Sequence, residues 1–152
     1  MAIADRLTEL GLELPPVAAP AGAYVPAVVV GDLVWTAGQL PFVDGTLART
    51  GLLGQDVSVE DAADLAGVAV LNALAAVASV LDGLDRVTQV VKMVGFVASA
   101  PGFTEQPRVI NGASQVLVDV FGEHGRHARS AVGVAALPLG SPVEVELVVQ
   151  FR

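Results

Sequence analysis

Arg129 is the residue whose type and position most directly suggest chemistry. It stands at the start of an apolar segment, Ser130 to Val134, in a chain with only eight basic residues. A charged side chain is rarely buried unless an anion accompanies it. The planar guanidinium group binds a carboxylate through two parallel hydrogen bonds. The sequence therefore leaves two partners open: an acid of the same chain, which is the favoured interpretation, or the carboxylate of a ligand.

Two acids near the end of the chain alternate with aliphatic residues. Glu144 and Glu146 stand among Val143, Val145 and Leu147, so in a strand both carboxylates point to one face of a sheet. A face turned towards solvent or towards a subunit interface explains this pattern and is favoured. The alternative is a carboxylate that positions water for attack on a ligand.

The two histidines lie in a polar, glycine-rich segment. We predict that His124 and His127 are solvent-exposed loop residues, with a role as ligand or general base as the alternative. The sequence has no HExxH motif, no Walker loop, no GxGxxG after a strand and no cysteine. We therefore expect no metal ion and no cofactor.

Composition restricts the classes of partner. A net charge of −8 and a pI near 4.5 disfavour nucleic acid and anionic membranes. The first residues lack the basic-then-apolar order of a secretory signal, so we expect a cytoplasmic protein. Hydrophobic residues make up 53% of the chain and charged residues 16%, which predicts that apolar surface is covered by other copies of the chain.

Periodicity and turn residues predict the elements that position these side chains. An N-terminal arm (residues 1–19) precedes one domain (residues 20–152). The predicted elements are a short helix from Asp5 to Leu12, a hairpin (28–30 and 33–35), a loop (41–55), a helix capped by Ser58 and ending at Leu81, a strand (87–98), a helix (107–120), and strands at 130–134 and 143–151.

The domain has the order β-β-α-β-α-β-β, which favours an α+β fold with two helices on one face of a mixed sheet. The longest uncharged stretch of the first long helix, Ala66 to Leu81, has 16 residues. This is short of the ~20 residues that cross a bilayer, so the helix is predicted to be buried in the protein.

Two groups of motifs resemble the RidA/YjgF (reactive intermediate deaminase) family. The first comprises Pro20-Ala-Gly-Ala-Tyr24 and Thr36-Ala-Gly-Gln-Leu-Pro41. The second is more specific, because residue type and spacing match together from Arg129 through Leu137-Pro138 to Glu146. The likeness runs from about Pro20 to Arg152.

This resemblance implies a chorismate-mutase-like fold and a homotrimer with three ligand clefts between subunits. It implies hydrolysis of 2-imino acids or enamines to 2-keto acids and ammonia. The residue matching Arg129 holds the substrate carboxylate in the family, the residue matching Glu144 helps to position water, and the residue matching Tyr24 lines the cleft. We expect a nearby guanidinium group to keep Glu144 ionised.

Further positions follow from the same resemblance. Ala37 and Gly38 fall at the substrate cleft, and Ala37 stands where many members have serine. Ala131 stands where they often have cysteine, at a position that acts largely through its main chain. Asn111 falls near the ligand, or alternatively caps the start of the second helix.

Three functions compete. An imine deaminase is favoured because Arg129 and Glu144 are both present. A non-catalytic binder or sensor of small carboxylates needs only Arg129, and the alanines at 37 and 131 favour it. An RNA-cleaving enzyme is disfavoured because sixteen acids outnumber eight bases.

Overall fold

The computed structural model describes all residues from 1 to 152 as three α-helices and seven strands. The helices are α1 (Ile3–Glu9), α2 (Val59–Leu81) and α3 (Gln106–Phe121). The strands are β1 (Ala27–Val30), β2 (Leu33–Thr36), β3 (Phe42–Val43), β4 (Thr46–Leu47), β5 (Val87–Ala98), β6 (Ala128–Val134) and β7 (Val143–Phe151).

Five of the strands form one mixed sheet in the order β1-β2-β7-β5-β6. Strand β6 pairs in parallel with β5, and the other neighbours are antiparallel. Helices α2 and α3 pack on each other and on one face of this sheet. The predicted α+β fold is confirmed, and β6 begins two residues earlier than predicted, which places Arg129 inside a strand.

The β1–β2 hairpin forms as the sequence predicts. Val28 lies opposite Trp35, and Val30 lies opposite Leu33. Gly31 has φ +60°, a left-handed conformation that costs glycine little and suits a two-residue turn.

The segment from Pro41 to Gln55 contains a second hairpin where a loop was predicted. Strands β3 and β4 have two residues each, and Asp44 and Gly45 turn between them with φ values of +50° and +78°. An Asp-Gly pair is a typical hairpin turn. Strands this short show no alternation of apolar and polar residues, so the pattern gave no sign of them.

Helix α2 follows the prediction closely. The Ser58 hydroxyl accepts a hydrogen bond of 3.1 Å from the Asp61 amide, and the helix ends at Asp82 in a left-handed conformation. Small residues at three- and four-residue intervals form one side of α2. Val80 at the end of this row is 38% exposed, whereas the five alanines are fully buried: Ala62, Ala66, Ala69, Ala73 and Ala76.

By length and composition α2 could cross a membrane. However, 67% of its most apolar 18-residue window is buried inside the protein. It is the central helix of the core, as the sequence predicts.

The sheet has one face under the helices and one face without them. Val143, Val145 and Leu147 are buried under the helices, so Glu144 and Glu146 point to the other face, which we call the outer face. The prediction that both acids share a face is confirmed. The outer face also carries large apolar side chains that are exposed in the single chain, among them Val28, Trp35 and Val132.

The N-terminal arm is attached to the domain through α1. Leu7 is buried in the core, the Arg6 Nε donates to the Asp119 carbonyl at 2.9 Å, and the Ile3 amide donates to Asp85 at 2.6 Å. Because Asp119 belongs to α3, the arm packs against the helix that borders β6.

Two glycines let α2 and α3 approach each other closely. A Cβ atom on Gly112 would collide with the backbone carbonyl of Ala63, which cannot move without shifting α2. A Cβ atom on Gly67 would lie 3.5 Å from the Val116 side chain, an ordinary contact.

We expect Gly112→Ala to lower the free energy of unfolding by about 1 to 3 kcal/mol, as overpacking of a core does. The matched control is Gly67→Ala, which should be neutral or stabilising by up to about 1 kcal/mol, because alanine is the better helix former. Urea denaturation measures both. Equal effects of the two substitutions would contradict this account of the helix contact.

Candidate functional site

Arg129 points from β6 towards α3. It lies opposite Met93, a buried residue of β5 on the helix side of the sheet. Its Nη1 donates to the Asn111 Oδ1 at 2.8 Å and to the Ser114 Oγ at 3.2 Å. Asn111 and Ser114 are three residues apart, so both face β6 from one side of the helix.

No acid of the chain neutralises Arg129. The five ion pairs of the structure involve other arginines, namely Arg6, Arg49, Arg108 and Arg126. The favoured prediction of an internal salt bridge is therefore wrong, because α3 presents an amide and a hydroxyl group to β6 rather than a carboxylate. These neutral oxygens orient the half-buried guanidinium group and leave its charge in place.

Asn111 does not cap a helix. Helix α3 begins at Gln106, so Asn111 lies in its second turn, where the backbone amides already have helical partners. The cap interpretation is wrong, and the asparagine instead accepts a hydrogen bond from Arg129.

His127 extends the hydrogen bonds of Arg129 into a chain. Its Nδ1 lies 2.7 Å from the Gly125 carbonyl oxygen, which can only accept, so Nδ1 carries the proton. The Nε2 is then the acceptor for the Ser114 hydroxyl group at 3.0 Å. The order of donation is Arg129 to Ser114 to His127 to Gly125.

His124 is exposed as predicted, although it lies in a short 3₁₀ helix (Gly122–Gly125). His127 lies in the connection before β6 but is half-buried, so its predicted exposure is wrong. Burial lowers the pKa of His127 below its ordinary value of 6.5, the bond to Gly125 opposes this shift, and the charge of Arg129 lowers the pKa further. Neither Ser114 nor this role of His127 was found from the sequence. The only available signal was the three-residue spacing of Ser114 from Asn111.

Glu144 lies in a separate cleft of about 350 Å³. Tyr24, Gly38 and Pro138 also line this cleft. The Glu144 carboxylate occupies the space that a side chain at position 38 would need. Gly38 therefore makes room for Glu144, and the structure brings together the predicted residues Tyr24, Gly38 and Glu144.

Burial raises the pKa of Glu144 above its ordinary value of 4.5, and repulsion from Glu146 raises it further. Arg129 contributes nothing to this shift. The expectation that a neighbouring guanidinium group keeps Glu144 ionised is therefore wrong for the single chain.

The pairing of the strands explains this separation. Glu144 lies opposite Phe96 on the outer face, whereas Arg129 lies opposite Met93 on the helix side. Met93 and Phe96 are three residues apart in β5, and an odd spacing puts two side chains on opposite faces. One chain thus holds Arg129 with Asn111, and Glu144 with Tyr24 and Gly38, as two separate groups.

The two alanines accompany these groups. Ala131 lies opposite Gly95 and two residues from Arg129, so it shares the face of Arg129. Ala37 follows β2 beside Gly38, and its amide donates to the Pro26 carbonyl at 2.8 Å. Neither residue offers a side-chain hydrogen bond.

Residues 4–151 match the family model described as "YjgF/chorismate mutase-like, putative endoribonuclease". The chain belongs to this family, the RidA/YjgF family. The matched segment includes most of the N-terminal arm as well as the domain.

Individual relatives extend the likeness over nearly the whole chain. Protein TCP17 of Trypanosoma cruzi is 46% identical over 151 residues, which cover 99% of this chain and 94% of that protein. The crystal structure of the protein Atu1372 from Agrobacterium tumefaciens, of unknown function, has a TM-score of 0.90 and 46% identity, covering 99% of this chain and 92% of that chain. Escherichia coli TdcF with bound serine has a TM-score of 0.61 and 26% identity, covering 91% and 94%.

We expect His127 to remain neutral with its proton on Nδ1 at pH 7 and to titrate below pH 6.5. Nitrogen-15 NMR of the imidazole ring distinguishes the tautomers and follows the titration. Ser114→Ala is the control, since it removes the donor to Nε2 and leaves the bond to Gly125. A ring protonated on Nε2 at pH 7 would contradict the order of donation.

We expect Glu144 to make stability depend on pH. Because its pKa is raised in the folded state, the folded protein binds the proton more tightly, and the stabilisation by that proton is lost as pH rises through the folded pKa. The free energy of unfolding of Glu144→Gln, relative to that of the wild type, should therefore increase from pH 4 to pH 7.5. Urea denaturation at both values measures this, and a difference that does not change with pH would contradict it.

Proposed function

We propose that this protein binds small 2-imino and 2-keto carboxylates at Arg129 and hydrolyses the 2-imino acids to 2-keto acids and ammonia. The observation that carries the proposal is the half-buried guanidinium group of Arg129 without an acidic partner. Its hydrogen bonds within the chain come from Nη1 alone. The Nε and Nη2 donors remain for a carboxylate, whose two oxygens match them in spacing.

A relative with a bound amino acid supports this class of ligand. The TdcF structure contains serine, a small molecule with a carboxylate. The class of ligand therefore agrees with the chemistry of Arg129.

We propose further that two copies of the chain form each site. Arg129 and Glu144 lie on opposite faces of one sheet, so one chain cannot direct both at one small molecule. Strand β6 is at an edge of the sheet. On the outer face, Trp35 is 52% exposed in the single chain. The homotrimer implied by the family resemblance would cover that face and bring Glu144 of one copy to Arg129 of its neighbour.

The chemistry needs one anchor and one group that moves a proton. Arg129 holds the carboxylate, so that the imine carbon is fixed next to a water molecule and a bimolecular step becomes a positioned one. The oxygen of this water molecule bonds to the imine carbon, and Glu144 accepts a proton from the water. The same proton then goes to the nitrogen, which gives a carbinolamine. Glu144 next accepts the proton of the carbinolamine hydroxyl group and passes it to the nitrogen as the carbon–nitrogen bond breaks, so that ammonia and the 2-keto acid leave.

In the single chain burial and Glu146 raise the pKa of Glu144, whereas in the proposed assembly the charge of the neighbouring Arg129 would oppose this shift. A carboxylate whose pKa is closer to neutral pH is the stronger base and can also return the proton. The acid must be ionised to begin the reaction, so the rate should fall as pH decreases through the pKa of Glu144 in the assembly.

A non-catalytic binder of small carboxylates is the second candidate. Ala37 and Ala131 offer no side-chain hydrogen bonds to a reacting group, and binding needs only Arg129. RNA cleavage is less compatible with the charges, because sixteen acids oppose eight basic residues and four of the arginines already pair with acids.

We expect Arg129→Ala to lower kcat/KM by about 10- to 100-fold, which corresponds to the loss of hydrogen bonds from a charged group. Glu144→Gln should lower kcat by about 100-fold or more, because it cannot accept a proton. The assay generates imino acids in place with an amino-acid oxidase and measures the release of keto acid.

The matched controls are Arg126→Ala and Glu123→Gln. Arg126 is the arginine nearest to Arg129 in the sequence, but it is exposed and pairs with Glu123 at 3.1 Å. Both controls should keep wild-type activity. A wild type that equals buffer, yet gains thermal stability from 2-keto acids, would favour the binder. If the wild type shows no activity and gains no stability from 2-keto acids, both candidate functions are overturned.

Mixed assemblies test whether neighbouring copies share the site. Refolding Arg129→Ala with Glu144→Gln in equal amounts should restore about a quarter of the wild-type activity. Each working cleft then needs an intact Arg129 and an intact Glu144 from neighbours that assemble at random. Activity no greater than that of the two variants alone would contradict a shared site.

A further inference from the structure

A second and larger cavity lies apart from Arg129 and beside the Glu144 cleft. It encloses about 770 Å³ between arm residues 13–19, the β3–β4 hairpin and the middle of α2. Its volume falls within the range of ~300–1,000 Å³ that small-molecule sites occupy.

The walls of this cavity are mostly apolar. The arm, the hairpin and α2 each contribute aliphatic or aromatic side chains: Leu14, Val17, Phe42, Val43, Val68 and Leu71. Such walls favour the hydrocarbon part of a ligand.

Asn72 supplies one fixed polar atom. The residue is only 4% exposed, and its Nδ2 lies 3.0 Å from the Phe42 carbonyl and 3.3 Å from the carbonyls of Leu40 and Val68. These oxygens can only accept hydrogen bonds, so the amide nitrogen must face them and the Oδ1 must face away.

The Oδ1 of Asn72 accepts no hydrogen bond from the protein. Every fully buried side-chain polar atom of the structure has a partner, so this oxygen reaches accessible surface. Asn72 is one of the residues that line the cavity, so this oxygen is the side-chain acceptor that Asn72 can offer to a ligand there. The cavity therefore offers one oriented amide oxygen within an apolar wall, and a ligand donor satisfies it.

The charges around the cavity are negative. Glu13 and Asp44 are both exposed and both line it, and no basic residue lines it. The net charge of −8 adds to the local potential. A cation is attracted here and a carboxylate is repelled, the opposite of the preference at Arg129.

We propose that this cavity is a binding site for an apolar primary amine. The hydrocarbon part lies against Leu14, Val17 and Leu71. The ammonium group donates a hydrogen bond to the Asn72 Oδ1 and is attracted by Glu13 and Asp44.

The experiment compares three probes with the same six-carbon chain: hexylamine, 1-hexanol and hexanoate. Methyl NMR of the wild-type protein measures their affinities and locates them through the methyl groups of Leu14, Val17, Val68 and Leu71. Hexylamine should bind at least about tenfold more tightly than hexanoate, a difference of about 1.4 kcal/mol, and 1-hexanol should lie between them.

Variants assign the site and its charges. Val17→Trp fills the cavity and should abolish hexylamine binding, whereas Val80→Trp should not, since Val80 is similarly exposed on α2 but lies outside the cavity. The substitutions Glu13→Gln and Asp44→Asn remove the two acids. They should lower the affinity for hexylamine and leave the affinity for 1-hexanol unchanged. Arg129→Ala should bind hexylamine like wild type, so failure of the proposed deaminase would not affect this result.

Three results would overturn the proposal. The first is no shift of the cavity methyl groups with any probe. The second is equal affinity for hexylamine and hexanoate. The third is hexylamine binding that survives Val17→Trp in a variant whose NMR spectrum shows it to be folded.

Discussion

The guanidinium group of Arg129 is oriented by neutral oxygens and keeps its charge, and the candidate site depends on this arrangement. A half-buried charge without an acidic partner is costly for folding, so it persists only where the surrounding structure holds it. Here α3 does so, by placing Asn111 and Ser114 on the side that faces β6. The position of α3 depends in turn on its close contact with α2 at Gly112, so the packing of the two helices determines where the charge points.

The sequence predicted the features that depend on local pattern. The predicted cap at Ser58 and the predicted end at Leu81 agree with α2, because the ends of a helix are set by neighbouring residues. The sequence did not predict the contacts that join distant segments. The partners of Arg129 lie 15 and 18 residues away on another element, and no local pattern indicates which α3 residues will face β6. The alternation of Glu144 and Glu146 gave their common face, but their relation to Arg129 depends on how β5 pairs with both β6 and β7.

The separation of Arg129 from Glu144 makes assembly part of the proposed mechanism. Association of copies of the chain would bury the exposed apolar side chains of the outer face, and this burial is favourable. The N-terminal arm contributes a different feature. Ala18 and Ala19, with Phe42, line both the Glu144 cleft and the larger cavity, so one short segment forms a wall between the Glu144 cleft and the proposed amine site.

A crystal structure of the assembled protein with 2-oxobutyrate tests the central claim most directly. The account predicts that both carboxylate oxygens accept hydrogen bonds from the Nε and Nη2 of Arg129, while Nη1 stays on Asn111 and Ser114. It also predicts Glu144 of a neighbouring copy close to the keto carbon. An Arg129 paired with an aspartate or glutamate of the neighbouring copy, and the keto acid absent or elsewhere, would contradict the account.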